Sequence, residues 1–418
     1  MKRKHTGVWL AAALVLTLQL SAQVKFEVLH NFAAFGSAAD GSIPFGPLLR
    51  DSKGDLYGVT TDGGTCSGSD YGCGTVFELS PQANGSWSEE ILHTFAGGSG
   101  GAYPWGALVL GSTGNLYGTI QGYGSFAVGG VYSLAPEAAG WGYRLIYGDG
   151  AGPGLTSDNL GNLYGAIGSG QYFSYGAIGE LSPGSDGWTY AQLYSFCPQY
   201  GCPDGYSPPA PPIFDSKGNL WGTTFEGGIG RPACADNEFG CGVIYAMTRN
   251  RDGTWTYHVV HRFASSPDDG QFPQAGLTLD PAGNFYGSTE DGGPHGNGII
   301  FKFSVSGGQL KSDLLYDFPN CQQGCYPQGT LALDQQGNLY GMAQGGTNSC
   351  GGPSCGVVFR LAPQKNGGWK YNVLYNLNET SGGVFPFYGL ILDDKGNLFG
   401  VTGNFGKYGG GTAFEITP

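Results

Sequence analysis

Five charged residues interrupt an otherwise uniform sequence: Glu226, Arg231, Glu290, Asp291 and His295. Two carboxyl groups facing each other across a cleft can cleave a glycosidic bond, one as acid and the other as nucleophile or base. A histidine and an arginine beside a tyrosine can instead start elimination from a uronate by taking a proton. Asp62 and Lys407 occupy comparable places and add a charge of each sign. No spacing here is diagnostic of either reaction, and a solvated loop charge is the simpler reading of each residue. The sequence carries no serine elbow, phosphate loop, calcium loop or recognised metal-ligand spacing. No catalytic residue, cofactor or metal is therefore assigned.

The remaining acids and histidines look structural because they recur in register. His30, His93 and His261 hold the place taken elsewhere by Tyr147, Tyr194, Tyr316 and Tyr375. Asp40, Asp149, Asp204 and Asp269 each precede a glycine in a turn, where a carboxylate can accept bonds from the turn's own backbone.

What positions all of these is a repeat. The phrase DLYG at Asp55 returns as NLYG at Asn115, Asn162 and Asn338, NLWG at Asn219, NFYG at Asn284 and NLFG at Asn397. Upstream stand Pro44, Pro104, Pro153, Pro208, Pro273, Pro327 and Pro386, at an offset of 11 residues in six copies and 9 in the third. A constant offset of that kind implies a rigid hairpin. Each phrase is followed by an alternating strand such as GTVFEL at Gly74 or GVVFRL at Gly356, then by another such as WSEEILHTF from Trp87. One four-stranded unit cannot bury its apolar faces, whereas seven packed around an axis can.

The expected fold is therefore all-β: a seven-bladed β-propeller of four-stranded antiparallel blades. Val24 to Phe32 is a lone fourth strand and GTAFEITP a final third one, so the N-terminal strand should pair into the last blade. Residues 24–418 would form this single domain. Residues 1–23 read as a signal peptide, with Lys2, Arg3, Lys4 and His5 before the apolar run Val8–Leu18 and cleavage near Ala22. Secretion to the extracellular or periplasmic space, without a membrane span, is the expected outcome.

Composition agrees with this reading. The chain has 79 glycines, 14% aromatics and only 12% charged residues. Its net charge of −13 argues against nucleic acid as a partner. All ten cysteines fall in close pairs: Cys66/Cys73, Cys197/Cys202, Cys234/Cys241, Cys321/Cys325 and Cys350/Cys355. Export permits disulfides, and local pairing follows because both members of a pair are present or absent together.

Loop lengths single out one end of the blades. Third-to-fourth connections are nearly constant, whereas second-to-third ones run from 14 residues (Asn284 to Gly298) to 23 (Asn219 to Gly242). The cysteine pairs lie in these long loops or in the inter-blade links at the same end, so they brace one rim, where binding is expected. Aromatics flank the repeated proline there: Phe45, Tyr103, Trp105, Phe272, Tyr326, Phe385 and Phe387. They should crowd the mouth of the axial channel, where flat rings suit sugars, although packing between blades would use them equally well.

YGVTTDGG at Tyr57, WGTTFEGG at Trp221 and YGSTEDGG at Tyr286, with the GTVFEL and GVVFRL strands, resemble the Gloeo/Verruco (GloVer) tandem-repeat family of exported bacterial proteins. The resemblance spans the whole chain after residue 23. It implies an extracellular repeat architecture with interchangeable surface anchors and no catalytic residues to transfer. Two departures are a degenerate third repeat and no C-terminal sorting tail. The leading expectation is a monomeric binding or scaffold module whose partner is an extracellular glycan or surface protein. The alternative is a carbohydrate-active hydrolase or lyase working at the same mouth.

Overall fold

A computed structural model describes residues 24–34, 40–66, 69, 71–122, 128–168, 176–228, 234, 240–306, 309–347, 355–380, 382–386 and 388–418. The expected signal peptide, Arg231, Cys350 and Phe387 lie outside these residues. Seven four-stranded antiparallel sheets form a ring, a seven-bladed β-propeller. In the first blade the innermost strand Leu49–Arg50 pairs with Leu56–Gly63, which pairs with Thr75–Pro81 and then with the outer strand Trp87–Thr94. The last blade contains Ile391–Leu392, Leu398–Thr402 and Thr412–Thr417. Its outer strand is Lys25–Asn31, antiparallel to Thr412–Thr417 with Lys25 opposite Thr417.

Burial follows from this layering. Middle strands are covered on both faces by neighbouring blades, so they read as apolar runs: Val243 to Met247 are all buried. Outer strands have one wet face and alternate, as Trp255–Arg262 does at its start. The core lies between blades. Tyr164, Ile178 and Phe196 of the third blade pack with Leu220, Val243, Tyr245 and Met247 of the fourth.

The repeated phrase has a local explanation. Asp215 Oδ1 accepts the backbone N–H groups of Lys217 at 2.8 Å and Asn219 at 2.9 Å. Its Oδ2 accepts the Asn219 amide at 2.8 Å and the Trp221 indole N–H at 3.0 Å. Asp158, Asp280 and Asp334 make the same lock, with the tyrosine hydroxyl of the phrase as last donor. The phrase glycine admits a ring from the third strand. A β-carbon on Gly58 would sit 2.4 Å from the Phe77 ring, and one on Gly400 2.7 Å from Phe414. In the third blade Gly179 replaces that ring, and Tyr190 reaches into the space.

Blades are clasped at their inner ends. The proline opening one blade lies on the glycine that opens the third strand of the blade before. A β-carbon on Gly74 would meet Pro104 at 2.5 Å, on Gly298 would meet Pro327 at 2.6 Å, and on Gly411 would meet Pro44 at 2.8 Å. Between the second and third blades this clasp is missing, because Gly130 faces the Tyr147 carbonyl instead of a proline. The outer ends are joined by stacked rings: His93 on Tyr143, Tyr147 on Tyr190, Tyr194 on Tyr257, Tyr316 on Tyr371 and Tyr375 on Phe26. The equivalence of His and Tyr at this position thus reflects a seam between blades.

Candidate functional site at the axial mouth

The residue before the repeated proline has an unusual backbone in six of the seven blades. Ile43, Tyr103, Ser207, Phe272, Tyr326 and Phe385 have φ between 50° and 60°, the left-handed region. A residue preceding proline avoids helical conformations, and a side chain at positive φ costs about 1–2 kcal/mol. The conformation is held by a bond to the previous blade. Ile43, Tyr103 and Phe272 each donate their N–H to a carbonyl there at 2.9 Å, that of Gly410, Cys73 and Cys241 respectively. Tyr326 does so to Asn297 at 2.8 Å. The surroundings thus enforce the same backbone strain in six of the blades.

The six described rim aromatics are half-buried. Phe45 packs on Tyr388 with centroids 4.3 Å apart, and Phe272 lies 5.4 Å from Phe225. Trp105 donates its indole N–H to the Ala151 carbonyl at 3.2 Å. Just below, inner strands touch backbone to backbone: a β-carbon on Gly46 would meet Gly106 at 2.6 Å, and one on Gly106 would meet Gly154 at 2.3 Å.

Glu290 is the polar centre of this region. It follows the strand Asn284–Thr289, and its N–H donates to the Phe272 carbonyl at 3.0 Å. Its carboxylate accepts the side-chain amides of Gln274 and, at 2.9 Å, of Gln328. Burial pushes its pKa up against the pull of those amides, and Asp291 adds to the rise. Asp291 pairs with Gln271, and burial raises its carboxyl too. Asp62, at the same register in the first blade, is pushed by burial to about 6. Glu226 lies in an isolated bridge with Tyr206 in the fourth blade.

Four disulfides are described: Cys66–Cys73, Cys197–Cys202, Cys234–Cys241 and Cys321–Cys325. Cys355 is the described member of the fifth expected pair. Its side chain is buried and disulfide-bonded, and no free cysteine occurs among the described residues. Cys350, the partner expected for Cys355 from sequence, lies outside the described residues. The bridged loops touch the same rim. Gly228 donates to the Cys202 carbonyl at 2.8 Å, and Gly346 to that of Cys321 at 2.7 Å.

A family model for the Gloeobacter/Verrucomicrobia repeat matches residues 11–232 and 233–418. The chain belongs to the Gloeobacter/Verrucomicrobia repeat family. No curated protein matches it in sequence. Solved structures resemble this repeat protein in fold. A Bacteroides uniformis protein provisionally assigned as a 6-phosphogluconolactonase is 15% identical, with 83% of this chain and 89% of that one covered and a TM-score of 0.50. The gluconolactonase XC5397 of Xanthomonas campestris is 14% identical over 94% of this chain and 89% of its own, at 0.40. A glucose dehydrogenase is 13% identical over 94% and 99%, at 0.41. At these identities the likeness concerns the propeller alone.

In this repeat protein the sequence candidates are not gathered into one pocket by the contacts described. Glu290 meets two glutamines, whereas His295 meets Asp317, which ends the outer strand Gln309–Asp317. His295 thus stands at the blade's outer side and is about half exposed. The residues that sequence reasoning missed are Gln274, Gln328, Phe225 and Tyr388. Gln274 and Gln328 lie 16 and 38 positions from Glu290, so spacing held no signal. Tyr388 was visible as a bulky residue two places after Pro386, where other blades have Gly46, Gly106 and Gly329. Chemically, a half-buried carboxyl held by two amides beside flat rings can accept and donate hydrogen bonds to a polyhydroxy ligand. No helix among the described residues is long and apolar enough to cross a membrane. Disulfides fit an extracellular or periplasmic setting.

Proposed function

We propose that this protein is a secreted binding module that holds a saccharide at the axial mouth, over Glu290, Gln274, Gln328 and the Phe272 ring. The observation that carries this reading is the Glu290 carboxylate, fixed by the amides of Gln274, which lies between the strands Gly270–Gln271 and Thr278–Leu279, and of Gln328 on the strand Cys325–Leu333. Each amide keeps its carbonyl oxygen for a ligand hydroxyl, and Phe272 with Phe225 offers an apolar face for a sugar ring. The disulfide-braced loops around the mouth set which saccharide fits. Turnover is not part of the proposal, because the partners of Glu290 are amides and His295 sits at another part of the blade. The test is a glycan array on the secreted protein, followed by product analysis on each bound glycan. Binding that Glu290→Ala weakens at least about tenfold, with no new reducing ends or unsaturated uronates, supports the module. Product formation would replace it with the enzyme, and no binding would remove the saccharide.

A further inference from the structure

The seam between the last and first blades differs from the five that carry stacked rings. Where Tyr143, Tyr190, Tyr257, Tyr371 and Phe26 present a ring to the preceding blade, the first blade presents Glu89. Its partner across the seam is His30, on the strand Lys25–Asn31, with Asp40 beside it. The three side chains are largely buried, with exposures of 21% for His30, 19% for Asp40 and 16% for Glu89.

The distances have an internal control. On the outer strand of the fourth blade, His261 Nε2 lies 3.0 and 3.2 Å from the two Asp269 oxygens, an ordinary hydrogen bond. The equivalent His30 Nε2 to Asp40 Oδ2 distance is 3.4 Å, and His30 Nε2 to Glu89 Oε1 is 3.5 Å. Both are long for charge-assisted hydrogen bonds, which run to about 2.9 Å. Four ligands at about 2.1 Å from a tetrahedral metal stand about 3.4 Å apart. Moreover, Glu89 Oε1 is shut off from solvent and makes no hydrogen bond. One nitrogen and two carboxylate oxygens, all within 4.8 Å of one another, form the one such trio of metal-ligating groups among the described residues.

We propose that His30, Asp40 and Glu89 bind one divalent transition-metal ion of the zinc type, with water as fourth ligand, across the seam between the last and first blades. The imidazole favours such an ion over calcium or magnesium, which prefer all-oxygen shells. Backbone N–H groups orient the aspartate: Ala33 donates to Oδ2 at 3.1 Å and Gly41 to Oδ1 at 2.6 Å. The ion would tie the Lys25–Asn31 strand to the outer strand of the first blade, replacing the ring stack found at other seams.

The test loads the metal-stripped secreted protein with zinc chloride, and in parallel with calcium chloride, at pH 7, then measures bound metal per chain by mass spectrometry. One zinc per chain, little calcium, and a higher melting temperature with zinc are expected. Glu89→Gln keeps the shape and should weaken zinc binding beyond the roughly 10–100-fold typical of outer-shell changes. Glu89→Tyr should abolish it while keeping the fold, since tyrosine restores the stack seen between His93 and Tyr143. Zinc uptake by Glu89→Tyr equal to that of the unaltered protein, calcium taken up as well as zinc, or no zinc uptake by the unaltered protein would overturn the proposal.

Discussion

The Pro104 ring rests on Gly74, which opens the third strand of the preceding blade, so closely that a β-carbon on Gly74 would come within 2.5 Å of it. Gly74 has φ of 92°, and the Tyr103 N–H donates to the neighbouring Cys73 carbonyl at 2.9 Å. Proline, glycine and one backbone bond thus form a joint between blades. It explains why a proline and a glycine recur at these two places of the repeat.

Gly74→Ala should therefore be costly. It adds a left-handed penalty of about 1–2 kcal/mol to an overpacking cost of about 1–3 kcal/mol. Gly253→Ala is the control, because Gly253 has φ of 87° with nothing within 4 Å of an added β-carbon. Its loss should be the backbone part alone. Urea unfolding of the two variants separates the contributions.

Asp62 sets a pH dependence of stability. Burial raises its carboxyl to about 6, so the folded protein holds that proton more tightly than the unfolded chain does. Its contribution is fully present below the ordinary aspartate range near pH 3.8 and is lost as pH rises through about 6. Asp62→Asn should melt higher than the unaltered protein above pH 6, with the difference closing towards pH 4. Melting curves between pH 4 and 8 check this.

The turn aspartates act in the opposite sense. Burial alone would raise Asp215 and Asp280, but bonds from Asn219 and Trp221, and from Asn284 and Tyr286, outweigh it and hold both carboxyls below their usual range. Their contribution is complete above the ordinary aspartate pKa and disappears as pH falls through the depressed values. Asp215→Ala should cost about 1–3 kcal/mol at neutral pH by orphaning its donors. The cost should shrink in strong acid, as acid-dependent denaturation curves would show.

Phe272→Gly separates binding from folding. Glycine relieves the left-handed strain at φ of 56°, worth about 1–2 kcal/mol, while the lost ring removes contact with Phe225. Stability should change by no more than about 1 kcal/mol, whereas saccharide affinity should fall at least about tenfold. Calorimetry on the glycan identified by the array gives both numbers.

Much of the architecture was legible because repetition amplifies weak signals. Pro44 to Asp55 means little alone, but the same offset in five further copies fixes a hairpin and a count of seven. The glycine of the phrase was readable as constant and the residue before it as aromatic, but not as a ring socket and a hydrogen-bond lock, because Phe77 and Asp215 act through space. The mouth was harder still. Phe272 and Tyr326 were found beside their prolines, yet no pattern of apolar residues reports a positive φ. Glu290 stood out as a charge that broke the repeat, while nothing in the sequence marked its glutamine partners. The His30, Asp40 and Glu89 trio was hidden because its members belong to different blades.

The third blade is built more sparely than its neighbours. Its second strand, Leu163–Gly165, has three residues, Gly179 stands where others have a ring, and no proline clasps Gly130. An annulus with one weak joint does not come apart everywhere at once. Heat or denaturant should part this one first between Gly130 and Pro153, leaving an arc of sheets that opens like a broken bracelet and can still reclose from the same fault line.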